Sequence, residues 1–535
     1  MGRSLEILVV GCGVSGLTTV LCLLEAGFSV TIAQEMHSEE YLYQSEEERL
    51  LTFQCVALLP TPCVEATSSQ KGARRMRETP PLAHTDLLYR SHEEIRALQN
   101  QRFRHQVALC FQAHPYYQEV FNRLKLTPDD FQTVEDVQKL PVTTKQDYLS
   151  NSEAFRLTAL PEFLQEERTL WDVNYTTGTT TGIPAPFFNT TYDIFTSGEP
   201  TKRFASMVGL TVQDIMINLY PLTPFPHLTS RFPYLVMAAG ASVASPLMSG
   251  LDPNRGLDEV VWTIERQKGT VLGGIPSYVR RVIMRAEELG ADFSRVRLVL
   301  VAGESFPRGT REEMRRRLLR LGATMRDLVI ICGLGFPEMQ GSTVECVELG
   351  GSHNPAPDQI YFEVLDERSH TPLPDGKPGL FAITHLDRRG TVLLRYAIGD
   401  LTAISHEVCP DCGRQGPRIV TNTVRTFELA RFNGALINPD GIKEAIATVE
   451  GVEEYQIVFT KERESDPTSP DLLLVRVSAQ PDEQERVRTE LAATVTAATS
   501  MCPSIEFVGS KSEIFDPGQT FKAARVVDLR PTEEV

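Results

Sequence analysis

The chain of 535 residues is 41% hydrophobic and 23% charged, the proportions of a globular protein with room for two to four domains. Its net charge of −17 argues against a general affinity for nucleic acid or anionic membranes, and no run reaches the length of a spanning helix. Ten scattered cysteines point to a reducing, cytoplasmic setting rather than a disulfide scaffold.

Residues 5–35 read LEILVVGCGVSGLTTVLCLLEAGFSVTIAQE. An apolar strand over 7–10 leads into Gly11, Gly13 and Gly16; a helix ends near Gly27 and a second strand at Glu35. This is the strand-loop-helix-strand setting of the dinucleotide fingerprint, and it resembles the opening of D-amino-acid-oxidase-type flavoproteins. The pattern ends near residue 36, and one βαβ unit cannot cover both faces of a parallel sheet. The expectation is a Rossmann-like βαβ remnant over 1–36 that holds no FAD. Glu6 and the GCGVSG run interrupt the apolar stretch 5–24, against a secretory signal, and Glu6 also breaks the myristoylation pattern. Residues 37–83, with acidic runs, prolines and the basic patch Lys71, Arg74, Arg75 and Arg77, read as a linker.

From His84 the character changes. A helical stretch over 93–124 is interrupted at Pro115, and Thr127-Pro128-Asp129 and Thr133-Val134-Glu135 have the form of capped helix starts. Residues 175–184 read YTTGTTTGIP. Two glycines, five threonines and a closing proline suit neither a packed helix nor a central strand; their N–H groups and hydroxyls can wrap an anion. The Gly-Lys-Ser/Thr ending of the common nucleoside-triphosphatase loop is absent.

The order of the pieces resembles the phenylacetate–CoA ligases of the adenylate-forming superfamily. The motifs are a tyrosine pair after His114-Pro115, VEDVQKLPVTTKQD (134–147), YTTGTTTGIP, AGESFPRGTREEMRRRL (302–318), RYAIGDL (395–401) and CGRQGPRI (412–419). The resemblance covers 84–535 and implies an α/β fold: a large multi-sheet adenylate-forming body over 84–424 and a small α+β C-terminal lid over 425–535. Alternating runs at 454–459 and 472–477 flanking a helix-like 483–497 suit such a lid.

The activity this implies is ATP-dependent activation of a small carboxylic acid, aromatic in the first instance, through an acyl-adenylate, then thioester formation with CoA. ATP, Mg2+ and CoA are the implied cofactors. Transfer to a carrier-protein thiol or an amine, a non-catalytic homologue and a flavin oxidoreductase stand as alternatives. By resemblance, Thr177, Gly178, Thr179, Thr180, Thr181 and Gly182 hold the β- and γ-phosphates, with three threonines before Gly182 where the family has two hydroxyl residues. Gly303, Glu304 and Ser305 form the adenine-side loop. Asp400, in a loop after an apolar strand over 392–394, binds the ribose hydroxyls, and Arg425 contacts the nucleotide at the lid boundary. Phe427 stands where the family's hinge is acidic or lysine. Lys522 takes the place of the catalytic lysine. In CGLGFPEMQG (332–341), an ungapped register sets Cys332 at the adenine-stacking aromatic and Phe336 at the Mg2+ glutamate. A two-residue shift gives the magnesium role to Glu338 and the stacking role to Phe336. Phe225, His227 and Tyr278 are candidates for the acid pocket.

A second constellation is independent of ATP. Cys409-Pro-Asp-Cys412-Gly is a CxxC turn, and Cys346 and His353 lie upstream with six residues between them. Three thiolates and one imidazole complete a tetrahedral structural Zn2+ site. A redox pair is the rival, but no thioredoxin-like βαβ context surrounds it.

Overall fold

The computed structural model describes residues 87–175, 184–220, 226–246, 253–420, 424–425, 430–432, 435–437, 439–463, 469–499, 501–516 and 523–530. All belong to one compact unit, Met76–Val535. The βαβ unit and linker expected over 1–83 lie outside the described residues, as do Thr177, Gly178, Thr179, Thr180, Thr181, Gly182, Phe225, Phe427 and Lys522.

The helix His92–Ala113 is started by Ser91, whose Oγ accepts from the Glu94 N–H while the Glu94 carboxylate accepts from the Ser91 N–H. His114 stops it and Pro115 restarts it as Pro115–Leu124, as the interruption predicted. The starts expected at Thr127 and Thr133 prove to be short 3-10 helices, Pro128–Asp130 and Val134–Lys139. In each, an aspartate three residues on accepts from the threonine N–H, at 2.7 and 2.8 Å.

A nine-stranded mixed sheet organises the centre. Ser242–Ala244, Ile215–Asn218, Val271–Gly274, Leu298–Ala302 and Val329–Phe336 run parallel in that order. The inner strands Val271–Gly274 and Leu298–Ala302 are buried at every residue, because crossover helices such as Pro276–Leu289 and Arg308–Arg320 must return the chain over the sheet. Gly341–Glu345, Ser352–His353, Arg418–Ile419 and Ile404–Ser405 extend the sheet antiparallel. A second, antiparallel sheet orders Ile360–Leu365, Gly379–His385, Tyr396–Thr402 and Val424–Arg425.

Here one expectation is corrected. Residues 392–394 form no strand, and Asp400 lies inside the strand Tyr396–Thr402 rather than in a loop after one. The buried 392–394 backbone is satisfied piecemeal instead of by a ladder. His114 Nε2 lies 3.1 Å from the Val392 carbonyl, His385 Nδ1 accepts from the Leu393 N–H, and the Tyr117 hydroxyl serves both polar groups of Leu394.

The C-terminal elements have a core of their own, including Phe432, Ile442, Ile457, Val475 and Leu491. Their sheet orders Ser504–Phe507, Asp471–Ser478, Glu454–Lys461 and Val526–Asp528, with Pro439–Ala447 and Gln484–Thr499 as helices. The two long strands pair with each other and the second helix follows both, rather than lying between them. No helix among the described residues is long and apolar enough to cross a membrane.

Candidate active site

Parallel strands end with their peptide dipoles and following loops on one edge, and ligands of open α/β sheets bind outside that carboxyl edge. A cavity of about 1330 Å³ lies there. Tyr220, Ser277, Gly303 and Phe336 come from the ends of four parallel strands or the turns after them, and all line it.

Of the residues singled out from the sequence, Gly303, Glu304, Ser305, Phe336, Glu338 and Asp400 all line this one cavity. Gly303 sits at φ +95°, a conformation that favours glycine and lets the backbone turn sharply off its strand. The Glu304 carboxylate does not stand open to the cavity alone. It accepts from the N–H and hydroxyl of Ser277, at 3.0 and 2.8 Å, and from the Ala523 N–H at 3.1 Å. Ser277 lies in the first turn of Pro276–Leu289, where a helix presents free N–H groups and a partial positive charge. Ser305 donates to Asp440 of the C-terminal elements at 3.1 Å.

Glu338 is buried in the turn between Val329–Phe336 and Gly341–Glu345. Its backbone carbonyl is held by His385 Nε2 at 3.0 Å. Phe336 lines the cavity while packing toward Phe381, and Cys332 lines it too, with its thiol pushed up to about 12 by burial. Asp400 is buried, and antiparallel register sets it opposite Arg425 across the last strand pair. The expected phosphate loop and Lys522 lie outside the described residues. Tyr175, at the loop's leading edge, and Ala523, next to Lys522, both line the cavity.

Tyr278 is not part of the cavity wall: it is buried in the apolar core between sheet and helices. Phe204, Tyr220, Phe232 and Tyr234 are among the aromatic residues that do line it, with the Tyr220 and Phe232 rings 4.4 Å apart. Phe232 lies five residues past the candidate His227, whereas Phe204 and Tyr220 carry no sequence signal apart from ordinary core. Ser277 is the residue before the candidate Tyr278, and the proline before it marks the start of its helix.

Away from the cavity, Cys346, His353, Cys409 and Cys412 place their donor atoms within 4.8 Å of one another. Cys346 Sγ and Cys409 Sγ are 3.9 Å apart, and Cys412 Sγ and His353 Nε2 are 3.5 Å apart. Ligands on a tetrahedral zinc are roughly 3.5–3.8 Å from each other, so the donor set fits the ion. Strand pairing sets His353 beside Arg418, and the CxxC turn closes through Gly413 at φ +71°, whose N–H donates to the Cys409 carbonyl. Hydrogen bonding within the cluster pulls the Cys409 and Cys412 thiols down and pushes the Cys346 thiol up.

The sequence profile of the AMP-binding enzyme family matches residues 105–385. Among curated proteins, the chain is 27% identical over 374 residues to a phenylacetate–coenzyme A ligase of Thermus thermophilus, covering 69% of this chain and 79% of that one. It is 26% identical over 444 residues to the Escherichia coli enzyme of the same name, covering 82% and 95%. Among solved structures, a 2-hydroxyisobutyryl-CoA ligase in a postadenylation state shares the fold, with a TM-score of 0.66 at 21% identity over 84% of this chain and 91% of that one.

Proposed function

The chain belongs to the AMP-binding enzyme family, and from that premise we propose that it activates a carboxylic acid with ATP and passes the acyl group to coenzyme A. The acid carboxylate attacks the α-phosphorus and expels pyrophosphate; the CoA thiol then attacks the acyl carbon of the adenylate and expels AMP. The observation that carries the reading is the convergence of Gly303, Glu304, Ser305, Glu338 and Asp400 on one cavity at the carboxyl edge of the parallel strands. The two curated relatives are phenylacetate–coenzyme A ligases by name, and the aromatic residues Phe204, Tyr220 and Phe232 in the wall suit a flat, apolar acid of that kind.

In this reading the segment Thr177–Gly182 cradles the β- and γ-phosphates, Asp400 accepts from the ribose hydroxyls, and Arg425 contacts the nucleotide. Glu338 would hold Mg2+, which neutralises phosphate charge when bound. Lys522 supplies a cation as charge builds on the attacking carboxylate and α-phosphate. The body spans 84–424 and the lid 425–535. Cys346, His353, Cys409 and Cys412 hold one structural Zn2+, which ties the segment before residue 418 to the strands without taking part in chemistry. The protein works in the cytoplasm, where such thiolates stay reduced.

Acid-dependent exchange of labelled pyrophosphate into ATP tests the reading, across aryl and alkyl acids. Exchange is expected with aryl acids, and Lys522→Ala is expected to lose most of it while staying folded. No exchange with any acid would leave a non-catalytic homologue, and unchanged exchange in Lys522→Ala would remove that lysine from the mechanism.

A further inference from the structure

The polar ties between the C-terminal elements and the rest are mostly at the surface. Lys511 pairs with Glu288 at 2.7 Å, and the Arg308 N–H donates to Glu444 at 2.7 Å. Among the described residues, the tie through Arg280 is buried. Arg280, on Pro276–Leu289, is 5% exposed, and Glu454, with which it pairs at 2.8 Å, has a wholly buried side chain. The same guanidinium donates to the carbonyls of Glu453 and Val452 at 2.5 and 3.1 Å. Its Nε and Nη2 grip both oxygens of Glu313 at 2.7 and 2.9 Å. On the far side Glu454 also pairs with Arg525, whose guanidinium lies 4.6 Å over the Tyr455 ring.

Arg525 is two residues from Ala523, whose N–H donates to Glu304, and Glu304 is held by Ser277. Ser277 and Arg280 are three residues apart, and so lie on one face of the same helix. A single helical turn thus grips the 523–525 segment at two points, through Glu304 and through Glu454. We propose that Arg280 is a positioning residue: its buried pairing with Glu454 and Arg525 seats the C-terminal segment at the cavity for acyl-adenylate formation. This rests on the ligase reading above, in which Lys522 adjoins that segment.

Arg280→Met tests this without stranding either acid, because Glu454 keeps Arg525 and Glu313 keeps Arg317 at 2.8 Å. Acid-dependent pyrophosphate exchange is expected to fall about a hundredfold in kcat with little change in KM for ATP or acid, the signature of misplacement. Thioester formation from supplied acyl-adenylate is expected to persist, and Arg280→Lys to recover part of the loss. Independently of any activity, backbone amides of 523–528 are expected to lose hydrogen-exchange protection in Arg280→Met, whereas Lys511→Met leaves them protected. Unchanged kcat, or a rise confined to KM, overturns the proposal. Should the unaltered protein exchange no pyrophosphate with any acid, the ligase reading fails and the amides decide alone: undiminished protection in Arg280→Met refutes the grip itself.

Discussion

Arg311 is among the largest fully buried side chains, although it stands in TREEMRRRL, a run whose charge suits a solvated helix. Its guanidinium meets both oxygens of Glu345 at 2.9 and 3.0 Å and donates to the Ile330 carbonyl at 2.5 Å. Glu345 also accepts from the Cys332 N–H at 2.9 Å, so one ion pair ties helix Arg308–Arg320 to two strands behind the cavity. Two buried charges cost much desolvation, and the pair is worth far less than either partner costs when left alone. Arg311→Met is therefore expected to lower the unfolding free energy by about 3–5 kcal/mol in denaturant melts. Arg311→Met with Glu345→Leu should recover most of that. A single variant as stable as the parent would mean that Glu345 finds enough compensation from backbone N–H groups.

At the scale of elements, what was legible in the sequence was what is encoded locally. The break at His114-Pro115 follows from proline's missing N–H, and the starts at Thr127 and Thr133 from side chains three residues away. Their length was not legible, since only tertiary packing decides whether a capped turn grows. The 392–394 segment was misread because its partners, His114 and Tyr117, lie more than 270 residues away, and three buried apolar residues look alike in a strand or out of one. Motif order pointed to Asp400 and Glu338, which the fold brings to one cavity, whereas Ser277 and Arg280 reach it through contacts that no local pattern announces. The Cys346, His353, Cys409 and Cys412 cluster mixes both cases. CxxC is a local signal, while Cys346 comes 63 residues earlier and joins only through the sheet. The expected measurement is roughly one zinc per chain by metal analysis, lost in Cys409→Ser with Cys412→Ser. Removal should speed proteolysis between residues 405 and 417, because the closed turn loses its anchor. A metal-free preparation with the same cleavage rate would leave the four side chains as a packed cluster only.

Across the whole molecule, three buried titrating groups pull stability in opposite directions with pH. His114 and His385 each accept a backbone N–H at Nδ1, from Tyr117 and Leu393, which leaves the proton on Nε2 for the carbonyls of Val392 and Glu338. Burial holds them neutral, with His114 lowered to about 4 and His385 to about 3. Between pH 6.5 and those values the unfolded chain binds protons that the folded chain refuses, so their contribution, present above 6.5, is lost as pH falls. Glu363 does the reverse. Burial raises its carboxyl to about 7, with Arg395 Nε 3.9 Å away opposing the rise, and neither carboxylate oxygen has a hydrogen-bond partner. The folded chain keeps that proton where the unfolded chain has released it, so Glu363 costs stability as pH rises from 4.5 to 7 and returns it on acidification. Each group changes stability by roughly 1.4 kcal/mol per pH unit inside its window. From pH 6.5 to 4.5 one histidine is thus offset and the other is not. Glu363→Gln removes the offset. It is expected to be more stable than the parent at pH 7, by about 2–3 kcal/mol, and to lose that advantage as pH falls to 4.5. Urea melts at pH 7, 5.5 and 4.5 measure both curves, and carboxylates shared by the two proteins cancel in their difference. Parallel curves would show that Glu363 is already ionised within the fold, held by Arg395 more strongly than burial opposes.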